Sequence, residues 1–401
     1  MHLFFSEVDL MAELVNQGAY GCLYHPGMEC SGKTMDDRRY ATKLVVHNEV
    51  AENEVAVGDI VKGIVNYGVN FVPVIDTCIV NLEKVHRNNP HALKGCDIVP
   101  TAIKLKKGTR NKKDKGTTTE KEKFMLMKMP YIDSLYFYEY IDSMGDNKKK
   151  IISCIFDTYS YLIESIDRLV AHEVVHYDLK MQNILMNLKT DTPIIIDFGL
   201  SIPIKRLDQG DPFWATYFYK YSPEYYVWPL EAHVINFLQN PSQKPLSLSR
   251  EDVTSICETF VNANGALRIF SKGFRARYLK ACIQQCDPWI GVARDAVCVA
   301  LLKGWLTWDN YSLSIAYLQI LGFIYEAGFT NNHLIIQYVQ LLLTNIHPDP
   351  ERRKTVGDTK STFMNLFYMN EKVETYDRLV ENFNSDFFAQ TTIALSRDSH
   401  P

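Results

Sequence analysis

The sequence is poor in cysteine, and the cysteines present are not arranged to bind metal. Nine stand in 401 residues, an odd number, and no C-x-x-C pair occurs. Cys282 and Cys286 are four apart inside an apolar pattern, which is a helical spacing. This excludes a zinc site and predicts reduced core thiols in a reducing, cytoplasmic compartment, not a disulfide framework. A long apolar run is also missing. No stretch of about 18 uncharged apolar residues is present, so no membrane span is expected. The opening MHLFFSEVDLMAEL carries Glu7, Asp9 and Glu13 and lacks a basic start, so no signal peptide is expected. Nor does one charge dominate. Lys and Arg number 43 against 47 Asp and Glu, a net charge of -4. With no basic field, nucleic acid is not expected as the main partner.

What is present is ample apolar material. At 46% hydrophobic over 401 residues, the chain can bury one large core or two ordinary ones. Residues 8–130 read mainly as strands: AELVNQGAYGCLYH is two apolar runs broken by Gly18 and Gly21, and YATKLVVH, FVPVIDTCIV and KFMLMKM follow. Among them, Val50, Val57, Val61 and Ile64 fall on one stripe at 3- and 4-residue steps, which predicts a helix. A basic insertion at about 104–123 holds nine Lys or Arg, three acids and no aromatic residue, and reads as a solvated loop or a docking arm for an acidic partner. Residues 131–360 read as mainly helical, with a long amphipathic helix over KKIISCIFDTYSYLIESIDRLVAH, 149–172, and 361–401 as a C-terminal extension. The fold class expected is α+β, a small strand-rich part before a larger helical part.

The chemistry concentrates in VVHYDLKMQNILM, residues 174–186, and in IIIDFGLS shortly after it. Asp178 can accept a proton from an incoming hydroxyl. Lys180, two positions on, can neutralise anionic charge at the same point, and Asn183 and Asp197 can hold a divalent metal through oxygen. Positioning, metal and charge stabilisation are what phosphoryl transfer requires. A capping Asp and a buried Asn in a turn would account for any one of these residues. Eight fixed identities (His176, Asp178, Leu179, Lys180, Asn183, Asp197, Phe198, Gly199) coincide by chance with odds on the order of 10⁻¹⁰.

HYDLKMQN and DFGLS resemble the catalytic loop and metal-binding motif of eukaryotic-type protein kinases. NQGAYGCL resembles the family's glycine-rich loop, with Asn16 in the first glycine place. The resemblance implies that Gly18 and Gly21 admit phosphates to the backbone and that Leu23 covers adenine. YATK supplies Lys43. Glu49, Glu52 and Glu54 compete to be its partner, and only Glu54 shares the inward stripe. Met129 is the expected backbone donor to adenine, because Pro130 has no N–H. YSPE resembles the A-P-E that closes the activation segment, so Glu224 is expected to pair with Arg353 of DPERRKT. REDVTSICETF resembles the start of the central helix, with Asp252 as its buried acid.

The resemblance covers roughly residues 8–360. It implies a two-lobed kinase with ATP and Mg²⁺ in the cleft and a protein hydroxyl as acceptor. Lys180 marks the serine/threonine version of the loop, and Leu200 after D-F-G goes with serine over threonine. GAYGCLYHPGMEC is most similar to kinases of nucleocytoplasmic large DNA viruses, which implies the host cytoplasm or the virion. Cys22 reads as an inert small residue in this loop rather than a redox-sensitive thiol. A small-molecule phosphotransferase would lack Lys180 and the S-P-E element. A pseudokinase or nucleotide-binding scaffold would lack Lys43, Asp178 or Asp197, and all three are present. Tyr177 stands where regulated members have an Arg that receives an activation-segment phosphate. The expectation is a segment held by its own aromatic residues (Phe213, Trp214, Tyr217, Phe218), in an enzyme active as made despite hydroxyls at Ser201, Thr216, Tyr217, Tyr219 and Tyr221.

Overall fold

A computed structural model describes residues 12–18, 21–28, 38–83, 85, 92–99, 123–209, 211–326 and 333–367. The basic insertion expected at 104–123 therefore lies outside the described residues, Lys123 excepted. Two compact units divide the chain. One is Met1–Tyr67, Val72–Asp133 and Asp197–Gly199; the other is Gly68–Phe71, Ser134–Ile196 and Leu200–Pro401.

The first unit is strand-rich. Strands β1 (Glu13–Gly18), β2 (Gly21–His25), β3 (Tyr40–Val46), β4 (Asp76–Val80) and β5 (Phe124–Pro130) form one antiparallel sheet in the order β1-β2-β3-β5-β4. Side chains alternate across a strand. One face buries Cys22, Tyr24, Leu44 and Leu126 against Leu82, Leu93, Cys96 and Val99. The other carries Val45, Met125 and Met127 against Ala51 and Val74. Lys43 alternates with Leu44 and so shares the second face with Val45. There it meets helix α1 (Glu49–Lys62), whose Asn48 side chain caps the Ala51 N–H at 3.0 Å. Val57, Val61 and Ile64 are buried, as the stripe predicts, while Glu49 and Glu52 are exposed. A Cβ at Gly58 would lie 2.8 Å from the Val74 carbonyl oxygen, so glycine there lets α1 pack closely on the chain entering β4.

This unit corrects the cysteine reading. Cys22 and Cys96 form a disulfide across 74 positions, and Cys78 is also disulfide-bonded. An odd count leaves pairs possible, and the sheet brings to one face residues far apart in sequence. Among the described residues Cys154, Cys257, Cys282, Cys286 and Cys298 are free thiols, and all but Cys154 are buried.

The second unit is mainly helical. It opens with β6 (Ser134–Tyr136) and α2 (Phe137–Asp142), followed by α3 (Lys148–Ala171), the long amphipathic helix the pattern predicts. Next come β7 (Val174–Val175), β8 (Ile184–Asn187), β9 (Thr192–Ile195) and β10 (Ile202–Pro203). They form a three-stranded sheet β6-β8-β9 and a pair β7·β10, which fix both ends of the 176–183 loop. Helices α4 (Asp211–Tyr217), α5 (Leu230–Gln239), α6 (Arg250–Ala263), α7 (Lys272–Cys286), α8 (Arg294–Leu302), α9 (Trp308–Glu326), α10 (His333–Asn345) and α11 (Val356–Phe367) follow. Helix α11 crosses the expected boundary at 361. Its Phe363 packs on Tyr159 at 4.7 Å and on Tyr338 at 5.4 Å.

The central helix is not where the sequence suggested. Helix α6 is amphipathic, and Asp252 forms a capping box at its exposed N-terminus, accepting the Ser249 N–H at 2.9 Å. The buried helix is α9, with Tyr311, Leu313, Ile315, Tyr317, Leu318, Ile320 and Leu321 wholly inside. Its acid is Asp309. The expected Glu224–Arg353 brace is likewise replaced. Arg353 makes a two-pronged pair with Glu231, Nη1 to Oε1 at 2.6 Å and Nη2 to Oε2 at 2.9 Å, while Glu224 is exposed. Trp308 Nε1 donates to the same Glu231 Oε1 at 3.0 Å. The segment opened by Asp197 thus closes at Glu231, seven residues past Glu224. Along the chain, helices α6, α7 and α8 separate Glu231, in the first turn of α5, from Asp309 at the start of α9.

Candidate active site

In the strand-rich unit the site is a cation between two acids. Lys43 Nζ lies 2.9 Å from Glu54 Oε1, 3.0 Å from Glu54 Oε2 and 3.1 Å from Asp197 Oδ1. The competition among three glutamates is settled by helix α1, which turns only Glu54 inward. Burial by itself lowers the Lys43 pKa. The Asp197 and Glu54 carboxylates outweigh it and hold the ammonium above its ordinary range. Burial, with Asp197, raises the Glu54 carboxyl, and the ammonium opposes them. The two carboxylates thus favour the charged form of Lys43. Asp197 has φ +65°, a left-handed conformation costly for a non-glycine residue. The turn after it is tied to α1, since Asn53 Nδ2 donates to the Gly199 carbonyl at 3.4 Å.

Around the same cluster, Leu23 pairs in register with Lys43. Asn16 is spent locally, its Oδ1 accepting the Gln17 N–H at 2.8 Å. A Cβ at Gly18 would meet nothing within 4 Å, whereas at Gly21 it would lie 2.7 Å from the Leu44 carbonyl oxygen. Gly21 is thus fixed by the sheet itself. Met129 does not meet its expected role. The Tyr131 N–H donates to the Arg39 carbonyl at 2.8 Å, and β5 pairs Met129 with Ala41 two residues along. Bonded pairs recur every second residue in an antiparallel ladder, so the Met129 N–H is turned to β3 and not outward.

In the helical unit the site is an acid held on several sides. Asn183 Nδ2 donates to the Asp178 carbonyl at 2.8 Å and to Asp178 Oδ2 at 2.9 Å. That leaves the Asn183 Oδ1 oxygen as its available metal ligand, a hard donor suited to Mg²⁺, as are carboxylate oxygens of Asp197. Lys180 Nζ lies 3.3 Å from Asp178 Oδ1, and the Tyr225 hydroxyl donates to that oxygen. His176 is fully buried. Its Nε2 donates to the Ile196 carbonyl at 3.0 Å and its Nδ1 accepts the Asp178 N–H at 3.3 Å. Beneath the loop, Asp309 accepts the backbone N–H of His176 at 2.7 Å and of Tyr177 at 3.0 Å. Burial raises the Asp309 carboxyl, and these donors oppose the shift.

Tyr177 is an aromatic anchor. It has φ +64° and stacks on Trp228 at 4.8 Å, with Phe218 edge-on at 6.0 Å and Trp308 at 5.7 Å. Its hydroxyl accepts from Asn236 Nδ2 at 2.7 Å, and Trp228 Nε1 donates to its carbonyl at 2.6 Å. Of the aromatic residues expected to hold the segment, Phe218 meets Tyr177 and Trp214 meets Phe218 at 5.5 Å. The Phe213 side chain lies outside the described residues.

Sequence reasoning missed Glu231, Asp309, Trp228 and Tyr225. A signal existed for the two acids. Asp309 is the only acid in the first turn of a very apolar helix, and Glu231 follows Pro229 at a helix start. No local signal marks Tyr225, one of 23 tyrosines.

Among the described residues no helix is long and apolar enough to cross a membrane. No curated protein matches the chain. A family model of the protein kinase domain matches residues 103–227, which run from the basic insertion through the HYDLKMQN loop to just short of Glu231. The match supports a eukaryotic-type protein kinase and, with the strand-rich sheet and the helical unit, gives the chain the α+β fold of the two-lobed protein kinases.

Proposed function

We propose that the chain is an ATP- and Mg²⁺-dependent serine/threonine protein kinase. The observation that carries the reading is the Asp178 carboxylate. It is 8% exposed, fixed by Asn183 on one oxygen and faced by Lys180 at the other. In this reading Asp178 orients a substrate hydroxyl and accepts its proton as the oxygen attacks the γ-phosphorus, and ADP departs with the bridging oxygen's electron pair. Lys180 offsets charge on the transferred group. Lys43, kept ionised and placed by Glu54, meets the α- and β-phosphates. Asn183 and Asp197 are the residues that would hold Mg²⁺, which would supply neutralisation of the phosphate charge. Lys180 and Leu200 favour serine over threonine and tyrosine. The packing of Tyr177 into Trp228, Phe218 and Trp308 supports activity without segment phosphorylation, because aromatic contacts and the Asn236 bond occupy the place a phosphate–Arg pair would take. The likeness of GAYGCLYHPGMEC favours a viral source, with the host cytoplasm or the virion as the place of action.

The test is labelling of mixed peptides with ATP and Mg²⁺ by wild type and Asp197→Asn. The variant is expected to fold and to lose about two decades or more of turnover, ~3 kcal/mol of transition-state stabilisation. Wild-type turnover in the variant refutes the mechanism. Dominant threonine or tyrosine labelling refutes the acceptor assignment.

A further inference from the structure

The Asp178 carboxylate is already occupied on the side where an acceptor would enter. The Tyr225 hydroxyl donates to Oδ1 and accepts from Lys180 Nζ at 3.3 Å. Those are the two contacts a substrate hydroxyl must make: its proton on the base, its oxygen beside the cation. The other oxygen, Oδ2, belongs to Asn183 and to the fixed back of the loop. The ring of Tyr225 is half-buried, edge-on to Trp228 at 4.9 Å, with Lys180 Nζ 5.6 Å from its centroid. Trp228 in turn stacks on Tyr177, so the phenol is anchored through the same aromatic cluster that fixes the segment.

We propose that Tyr225 is an internal stand-in for the acceptor, a specificity-determining residue whose phenol must leave Asp178 before a substrate hydroxyl can bind there. This rests on the kinase reading above and adds its substrate-level control. A group tethered in the same chain competes at an effective concentration on the order of mM. Short peptides, which bring only a hydroxyl and a few contacts, compete poorly with it. Protein substrates that bind over a larger surface displace it. The same phenol competes with water at the base, which suppresses idle ATP hydrolysis.

The test compares wild type with Tyr225→Phe, which keeps the ring and its Trp228 contact and removes only the hydroxyl. Tyr225→Met serves as a second variant lacking the hydroxyl. Thermal unfolding checks that each is folded, and the Phe variant retains the ring and its Trp228 contact. Expected is a fall of about tenfold in KM for a short serine peptide, kcat kept or raised, and a several-fold rise in ATP hydrolysis without peptide. A tenfold change corresponds to ~1.4 kcal/mol. A fall in kcat at unchanged KM would overturn the proposal and make Tyr225 a group that aligns Asp178 and Lys180. Unchanged KM, kcat and ATP hydrolysis would overturn it as well. Failure of the kinase reading looks different, since neither wild type nor the variants would label any peptide while all remained folded.

Discussion

The Glu231–Arg353 pair offers the sharpest test of how the helical unit is held together. The Arg353 side chain is 0% exposed and that of Glu231 2%. Besides the two prongs to Glu231, Arg353 donates from Nε to the His347 carbonyl at 2.7 Å and from Nη1 to Thr307 Oγ1 at 3.2 Å. Truncation in Arg353→Ala leaves the Glu231 carboxylate buried with Trp308 Nε1 as the remaining donor named above. The uncompensated charge, more than the sum of lost hydrogen bonds, sets the size of the effect. One-sided removal of a buried ion pair costs ~3–5 kcal/mol. For a unit of this size that lowers Tm by roughly 6–20 °C, read by circular dichroism at neutral pH and checked by urea titration. Arg353→Lys keeps a cation but loses the fork and should fall between the two. Replacing both partners, Glu231→Leu with Arg353→Met, should recover much of the loss, because no charge is stranded. Glu224→Gln should change stability by less than about 0.5 kcal/mol, as expected for an exposed side chain. If Arg353→Ala stays within 1 kcal/mol of wild type (about) or Glu224→Gln costs as much as it does, the brace has been assigned to the wrong acid.

Two further outcomes are expected. His233 is fully buried, its ring nitrogens lie near the Tyr225 and Trp228 backbone without hydrogen-bonding geometry, and burial pushes its pKa down to about 3. A depressed histidine contributes stability that is intact above the unfolded pKa of 6.5 and is lost as pH falls toward 3. At pH 4.5 the loss reaches ~2.7 kcal/mol, so wild type should lose that much more than His233→Phe between pH 7 and 4.5; parallel pH profiles would count against a buried neutral imidazole. Breaking the Cys22–Cys96 bond with Cys22→Ser and Cys96→Ser should destabilise the strand-rich unit by about 4 kcal/mol, given a closed loop of roughly 75 residues. Hydrogen exchange of β2 and β3 reads this directly, and unchanged protection would show that the bond adds nothing.

The sequence made legible what is local or periodic. The acids and amide of 176–199 sit close together along the chain, and the stripe on α1 chose Glu54 because a helix repeats every 3.6 residues. It misled where the partner is distant. Glu224 and Asp252 are the acids that local motifs point to, but the buried acids are Glu231, seven residues past Glu224, and Asp309, which lies beyond α7 and α8 from Asp252. A carboxylate is marked as structural by what encloses it, and Arg353 is 122 positions from Glu231. The Cys22–Cys96 bond depends on a shared sheet face 74 positions apart. The Met129 N–H was misjudged because strand register, which decides where a backbone donor points, is written in the pairing partner and not in the strand.

The passage of Asp197–Gly199 into the strand-rich unit bears on how the protein is made. The chain changes unit at 67/68, 71/72, 133/134, 196/197 and 199/200. A ribosome that has released residue 133 has delivered the sheet and helix α1, yet Lys43 and Glu54 still lack the second carboxylate. At synthesis rates of roughly 5–20 residues per second, the 66 residues from 133 to 199 take about 3–13 s to appear. The nascent unit must wait that long with its buried cation facing one acid instead of two. For the same reason no single cut yields either unit whole: a fragment ending at 133 omits Asp197, and one beginning at 134 omits Asn70, whose carbonyl accepts the Ile195 N–H and whose amide bonds Ser165.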